Sequence, residues 1–249
     1  MMLAAIGRAA VRACAAVTLS LPILVAIDAM PACAQDYLAI VAQPDRSDAD
    51  RTTDKRRDPA KLLEFTAPRL GWRVLDMGAG AGYSTELMAR SVGPNGKVYG
   101  QTDNESEKLH ARMATPVMGN VVVLVRSAED PVPADVHDLD LITFFFAYHD
   151  TTFADINRAK MNKAMFAALK PGGFLVIADH SARPEDGATV GKTYHRIAEQ
   201  TLRAEIEAAG FKFVGDAGFL HHPEDTRTNI VFRNPTPVDE FVLKFQKPM

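Results

Sequence analysis

The chain has 249 residues, of which 47% are apolar and 24% charged, with a formal net charge of −3. That is enough apolar material for one sizeable core. No clustered basic face points to nucleic acid as a partner, and the two cysteines, Cys14 and Cys33, both fall in the first 34 residues.

Residues 1–34 read as a secretory signal peptide. Arg8 and Arg12 make a basic start, and Ala13 to Ile27 is apolar apart from Thr18, Ser20 and Pro22. Ala32-Cys33-Ala34 then supplies small residues at both positions of an A-x-A cleavage site, before Gln35. The apolar run falls short of the roughly 20 residues that span a bilayer. Cleavage without stable membrane insertion is therefore expected, with a periplasmic or secreted product. Met30-Pro31-Ala32 is a poor lead-in for a lipoprotein reading of Cys33. Cleavage removes both cysteines, so no disulfide, thiol nucleophile or thiolate-bound zinc is available. It also removes Arg8, Arg12 and Asp28, taking the net charge to −4.

Residues 35–57 are polar and irregular, with Arg46, Arg51, Lys55, Arg56 and Arg57 among aspartates. They read as a solvated N-terminal arm, or alternatively as a flap that presents an arginine over a ligand crevice. One domain, residues 58–249, follows. Asp58-Pro59 reads as N-cap and first helical residue, and Pro68 and Gly71 end that helix. A strand over Arg73–Met77 runs into Gly78, Gly80 and Gly82, then into a helical pattern to about Ser91. A strand, tight turn and helix N-terminus in this order place a ligand at the strand's carboxyl end, because glycine lets the backbone turn sharply and approach closely.

Further strands are read at 97–101, 121–125, 139–146 and 174–178. A helix carrying Leu109 and Met113 lies between the second and third, and another over 153–169 between the fourth and fifth. Lys170-Pro171-Gly172-Gly173 forms the turn into the fifth strand. Ile197, Leu202, Ile206 and Ala209 mark a further helix stopped by Gly210. Residues 212–215 and 239–247 read as the last two strands, and 229–232 as a short further strand or a loop.

The dinucleotide fingerprint wants its third glycine at position 83. That position is Tyr83, which disfavours a nicotinamide-dependent oxidoreductase. The spacing Asp76-x-Gly78-x-Gly80-x-Gly82 instead resembles motif I of the class I S-adenosylmethionine-dependent methyltransferases. Leu169-Lys170-Pro171-Gly172-Gly173 is similar to the turn before strand five of that family, and Ala208-Ala209-Gly210-Phe211 fits it too. With Tyr148-His149-Asp150, Ala178-Asp179-His180-Ser181 and the leader, the chain resembles a group of predicted exported bacterial methyltransferases.

The resemblance implies an α/β, Rossmann-like, seven-stranded, mostly parallel sheet with an antiparallel last strand and helices on both faces. It implies S-adenosylmethionine as cofactor, held by Gly78, Ala79, Gly80 and Gly82, with Asp76 as an acceptor for its ammonium. Helix N-terminal N–H groups suit its carboxylate. Asp103 is a candidate for the ribose, although Gln101-Thr102 stands where the family's acid usually ends strand two; Glu105 or water-mediated contacts are alternatives. Ala128 and Glu129 match the segment that contacts the adenine.

The methyl acceptor reads as an unidentified small molecule. Deprotonating a hydroxyl or amine acceptor needs a general base, most commonly His. His149 and His180 follow neighbouring strand ends and are the catalytic candidates, with Asp150 and Asp179 beside them to orient an imidazole. His195, in a helical pattern, reads as structural, with a place lining the same crevice as the alternative. His149, Asp150, Asp179 and His180 have the donor chemistry of a metal site, but sequence adjacency is not geometry, so no metal is assigned. S-adenosylmethionine is a cytoplasmic cofactor, which keeps open an alternative: an exported small-molecule-binding protein that retains the fold without catalysis.

Overall fold

A computed structural model describes residues 35–249; the signal-peptide reading of residues 1–34, with Cys14 and Cys33, lies outside the described residues. The chain continues through α1 (Tyr37–Val41), α2 (Asp48–Arg57), α3 (Pro59–Thr66), β1 (Arg73–Met77), α4 (Tyr83–Val92), β2 (Lys97–Thr102), α5 (Glu107–Met113), β3 (Val121–Val125) and β4 (Leu139–Phe145). Then come α6 (Arg158–Ala168), β5 (Leu169–His180), α7 (Gly191–Tyr194), α8 (Glu199–Ala208), β6 (Lys212–Ala217) and β7 (Glu240–Gln246).

The strands form one seven-stranded sheet in the order β3-β2-β1-β4-β5-β7-β6. β7 runs antiparallel between β5 and β6, and the other neighbouring pairs are parallel. This is the expected Rossmann-like architecture. Successive strand residues point to opposite faces, and the core divides accordingly. Leu75, Ile142, Phe144, Ile177 and Phe245 pack with Met161 and Met165 of α6 and Leu202 and Ile206 of α8. Val74, Leu141, Phe145, Val176 and Val242 pack with Leu62 and Leu63 of α3 and Leu87 and Met88 of α4. Among the described residues no helix is long and apolar enough to cross a membrane.

Four local readings change. Residues 35–57 are largely helical rather than irregular, and α2 begins on a Ser47 cap whose side chain accepts from Asp50 N–H. Asp58 precedes Pro59 as expected but sits at φ 39° and makes no side-chain cap hydrogen bond. The Lys170–Gly173 segment lies within a longer β5. There the pairing with β4 jumps from Leu139↔Leu169 to Leu141↔Phe174 across an irregularity, so the turn is absorbed as a bulge. A 3-10 turn at His149–Thr152 delays the following helix to Arg158. For 229–232 the loop alternative holds, with a 3-10 turn at Val231–Arg233.

Candidate active site

β1, β2, β4 and β5 are parallel, and their carboxyl ends line one edge of the sheet. Gly78, Gly80 and Gly82 follow β1 with φ of +66°, +56° and +83°, a left-handed turn that glycine adopts without a Cβ penalty. A Cβ at Gly82 would come within 2.8 Å of Arg112 Cδ, so the turn is closed on the α5 side. A Cβ at Gly80 would meet nothing nearer than Gly78 O at 3.8 Å, so the turn is open there.

Gln101 braces this turn from β2. Gly78 N–H donates to its side-chain oxygen (3.1 Å) and Ala79 N–H to its backbone oxygen (2.8 Å), while its amide donates to Arg126 O (2.7 Å). Asp76 is fully buried and accepts from Ser84, Thr85 and Thr143 hydroxyls at 2.7–2.8 Å. Burial raises its pKa, with the three hydroxyls opposing. Asp76 thus ties the turn to α4 and β4, and an ammonium contact would require one hydroxyl to give way. Asp103 and Glu105 both lie exposed after β2. Ala128 is buried beyond β3, and Glu129 accepts from Asn157 N–H at 2.6 Å and pairs with Lys160 at 3.1 Å.

The helical arm covers this edge. Arg46 pairs with Asp54 at 2.6 Å, Tyr83 donates to Asp54 at 2.7 Å, and Asp50 pairs with Arg112 at 2.8 Å. Arg112 also meets Glu86. Arg57 lies over the Phe146 ring (4.5 Å) and the Tyr83 ring (5.2 Å), and its buried Nε makes no hydrogen bond. The flap alternative, presenting an arginine, matches this geometry better than a solvated arm does.

The structure brings His149, Asp150, Asp179, His180 and His195 together. Asp179, fully buried at the end of β5, accepts from His149 Nδ1 (2.7 Å), His149 N–H (2.8 Å) and His180 N–H (2.8 Å). His149 Nε2 lies 3.1 Å from Asp150 Oδ1. Burial would lower the His149 pKa, but the Asp179 charge and the hydrogen bonds that the ring donates to both carboxylates outweigh it and raise it to about 10. His180 stacks between Phe146 (5.3 Å) and His149 (5.4 Å). Burial, reinforced by the charges of His149, Arg56 and Arg57 against Asp179, lowers its pKa to about 3. Two imidazoles expected near neutrality are thus driven apart, one held as a cation and the other neutral.

Sequence reading missed Glu240. It opens β7 opposite His180, with Oε1 2.8 Å from His180 Nδ1 in poor hydrogen-bond alignment, and it accepts from Arg56 at 2.8 Å. Burial raises its pKa to about 7, with Arg56 and Arg57 opposing. By alternation it shares a face with Val242, Lys244 and Gln246, and nothing local marks it as buried. The aromatic side chains at the end of β4 divide between the two faces of the sheet. Phe144 and Tyr148 pack in the core, Tyr148 bonding Glu205 at 2.7 Å, and Phe145 faces α3 and α4; Phe146 reaches the crevice.

Residues 74–173 match the family described as "Methyltransferase domain". The chain is 28% identical over 173 residues to the ubiquinone/menaquinone biosynthesis C-methyltransferase UbiE of Salmonella arizonae, a match covering 66% of each chain. The UbiE protein of Vibrio parahaemolyticus is 27% identical over 174 residues, covering 66% of this chain and 64% of its own. The chain thus spans slightly under two thirds of the curated relatives it matches. Among solved structures, a SAM-dependent methyltransferase from Aquifex aeolicus superposes with a TM-score of 0.60 at 21% identity, over 86% of this chain and 99% of its own. The N-methyltransferase NodS of Bradyrhizobium japonicum superposes at 0.58 and 16%, over 80% and 99%; both are likenesses of fold. Residues 74–173 thus match a methyltransferase domain, on a fold shared with S-adenosylmethionine-dependent methyltransferases. S-adenosylmethionine is the cofactor that this likeness implies. The residues present fit that group: the turn is open at Gly80, and the unpartnered Arg57 Nε is a donor suited to a carboxylate.

Proposed function

We propose that the whole chain transfers a methyl group from S-adenosylmethionine to a small-molecule acceptor lying between the ends of β4 and β5, beneath α2. The observation that carries this is the open Gly80 face beside a crevice of preset charge. The cofactor supplies an electrophilic methyl on a sulfonium. The Gly78–Gly82 turn would admit its methionine end, with Arg57 donating to the carboxylate. Asp103 or Glu105 would take the ribose hydroxyls and the Ala128-Glu129 segment the adenine. Phe146 and the clasped arm exclude water from the acceptor side.

His149, held protonated between Asp179 and Asp150, stabilises a developing negative charge on the acceptor and does not take its proton. His180 is neutral, and Glu240, 2.8 Å away, is the group poised near pH 7. The pair would accept the proton when the acceptor is a hydroxyl or amine. The sign follows: a carboxyl that must be ionised makes turnover rise with pH through about 7. Glu240→Gln should remove that limb from the kcat/KM profile, and an unchanged limb would reject this role.

The named relatives are C-methyltransferases of ubiquinone and menaquinone biosynthesis, so quinol and phenol acceptors are the first panel to try. Release of S-adenosylhomocysteine with one of them is the expected result. Failure of the protein to bind S-adenosylmethionine at all would sink the proposal. We further propose export, on the strength of the leader-like residues 1–34. Fractionated cells should then yield a product beginning at Gln35 outside the cytoplasm, and an uncleaved cytoplasmic chain would refute it.

A further inference from the structure

We propose that His149, Asp150 and His195 form a binding site for a divalent transition-metal ion. One ligand atom from each lies within 4.8 Å of the other two, and among the described residues no other such trio comes this close. Asp150 Oδ1 is 3.1 Å from His149 Nε2 and 3.5 Å from His195 Nδ1. Zinc-type bonds of about 2.0–2.2 Å leave ligand atoms on the order of 3–3.5 Å apart, so these spacings suit a shared ion with little movement.

The supporting residues point the same way. A metal-binding imidazole commonly gives its other nitrogen to a buried carboxylate, which fixes the tautomer and the ring. Asp179 does this to His149 Nδ1 at 2.7 Å and leaves Nε2 as the ligand atom. His195 ends α7 in a left-handed conformation, φ 56° and ψ 50°, a strained state for a residue with a Cβ. α7 reaches the His149 turn because Gly191 has no side chain: a Cβ there would lie 1.9 Å from Thr152 Oγ1 and 2.8 Å from His149 O. Phe153 and Phe232 flank the His195 ring at 6.1 and 5.0 Å.

Two imidazoles and one carboxylate occupy three positions of a metal that takes four or more, and this donor set suits zinc, cobalt or iron rather than magnesium. The Asp150 side chain is half exposed, so the remaining positions open to solvent and to an acceptor oxygen. The ion would replace the proton shared between His149 and Asp150, keeping positive charge at the same place in the crevice.

The purified protein, stripped with EDTA, is titrated with Co2+ and with Zn2+. One equivalent should bind, with a visible Co2+ absorption that Zn2+ abolishes. His195→Ala and Asp150→Asn should each weaken binding at least tenfold while S-adenosylmethionine still binds. Gly191→Ala should do so too by displacing α7, and His137→Ala, an exposed residue paired with Asp138, should change nothing. Asp179→Asn should cost about 10–100-fold through the lost carboxylate support. Absence of stoichiometric binding in the wild type, or binding that persists in both His195→Ala and Asp150→Asn, overturns the proposal. Neither readout requires methyl transfer.

Discussion

Gly80→Arg should leave the protein folded and abolish S-adenosylmethionine binding. Gly80 sits at φ +56°, where a residue with a Cβ costs about 1–2 kcal/mol. The space beyond it is free, because the nearest atom to a new Cβ is Gly78 O at 3.8 Å. The side chain therefore has room to leave the turn, and it leaves into the volume the cofactor's methionine end requires. A loss of at least 100-fold in affinity is expected, about 2.7 kcal/mol or more. Gly80→Ala carries the same backbone strain with little bulk, so it should melt like the arginine variant while retaining measurable binding. Calorimetric titration paired with thermal melting separates the two effects. Arginine-variant binding equal to wild type would place the cofactor elsewhere.

The largest stability effect should come from Asp179→Ala. The carboxylate is fully buried and accepts three donors at 2.7–2.8 Å, two backbone N–H groups and the His149 ring. Removing it strands all three and leaves the His149 cation with the half-exposed Asp150 alone. Breaking a buried charge pair from one side typically costs about 3–5 kcal/mol. For a domain of this size that corresponds to a fall in Tm on the order of 10 °C. Asp179→Asn keeps an acceptor and should lose less. Urea unfolding in the presence of EDTA measures both without metal linkage, and a loss under about 1 kcal/mol for the alanine variant would show that these donors find other partners.

The parts of the fold visible in the sequence were those set by near neighbours in the chain. The glycine triplet after an apolar run and the Gly210 stop each depend on a handful of consecutive residues. So does the placement of His149 and His180 at strand ends. What stayed hidden depends on distant pairing. The arm's charges looked solvated because Asp50 meets Arg112 62 positions away, and Arg56 meets Glu240 across 184. For His195 the helical pattern favoured a structural role over the crevice. Its side chain reaches Asp150 because α7 stops after one turn and Gly191 lets that turn pack tightly on Thr152. Gln101 looked like a missing acid, and in the fold it is the brace under the glycine turn.

β7 is the last strand in sequence order, yet it occupies an interior place in the sheet, between β5 and β6. β1 to β5 can pair as they emerge, but β6 has no neighbour until β7 slots in. Such late, long-range pairing is slow, because loop closure precedes any gain in contacts. Glu240 rides in on that strand, and with it the partner of both His180 and Arg56. The crevice therefore acquires its charge pattern in a single closing step rather than gradually. In refolding experiments methyl transfer should appear with the slowest phase, and its appearance in an early phase would show that the parallel half of the sheet suffices.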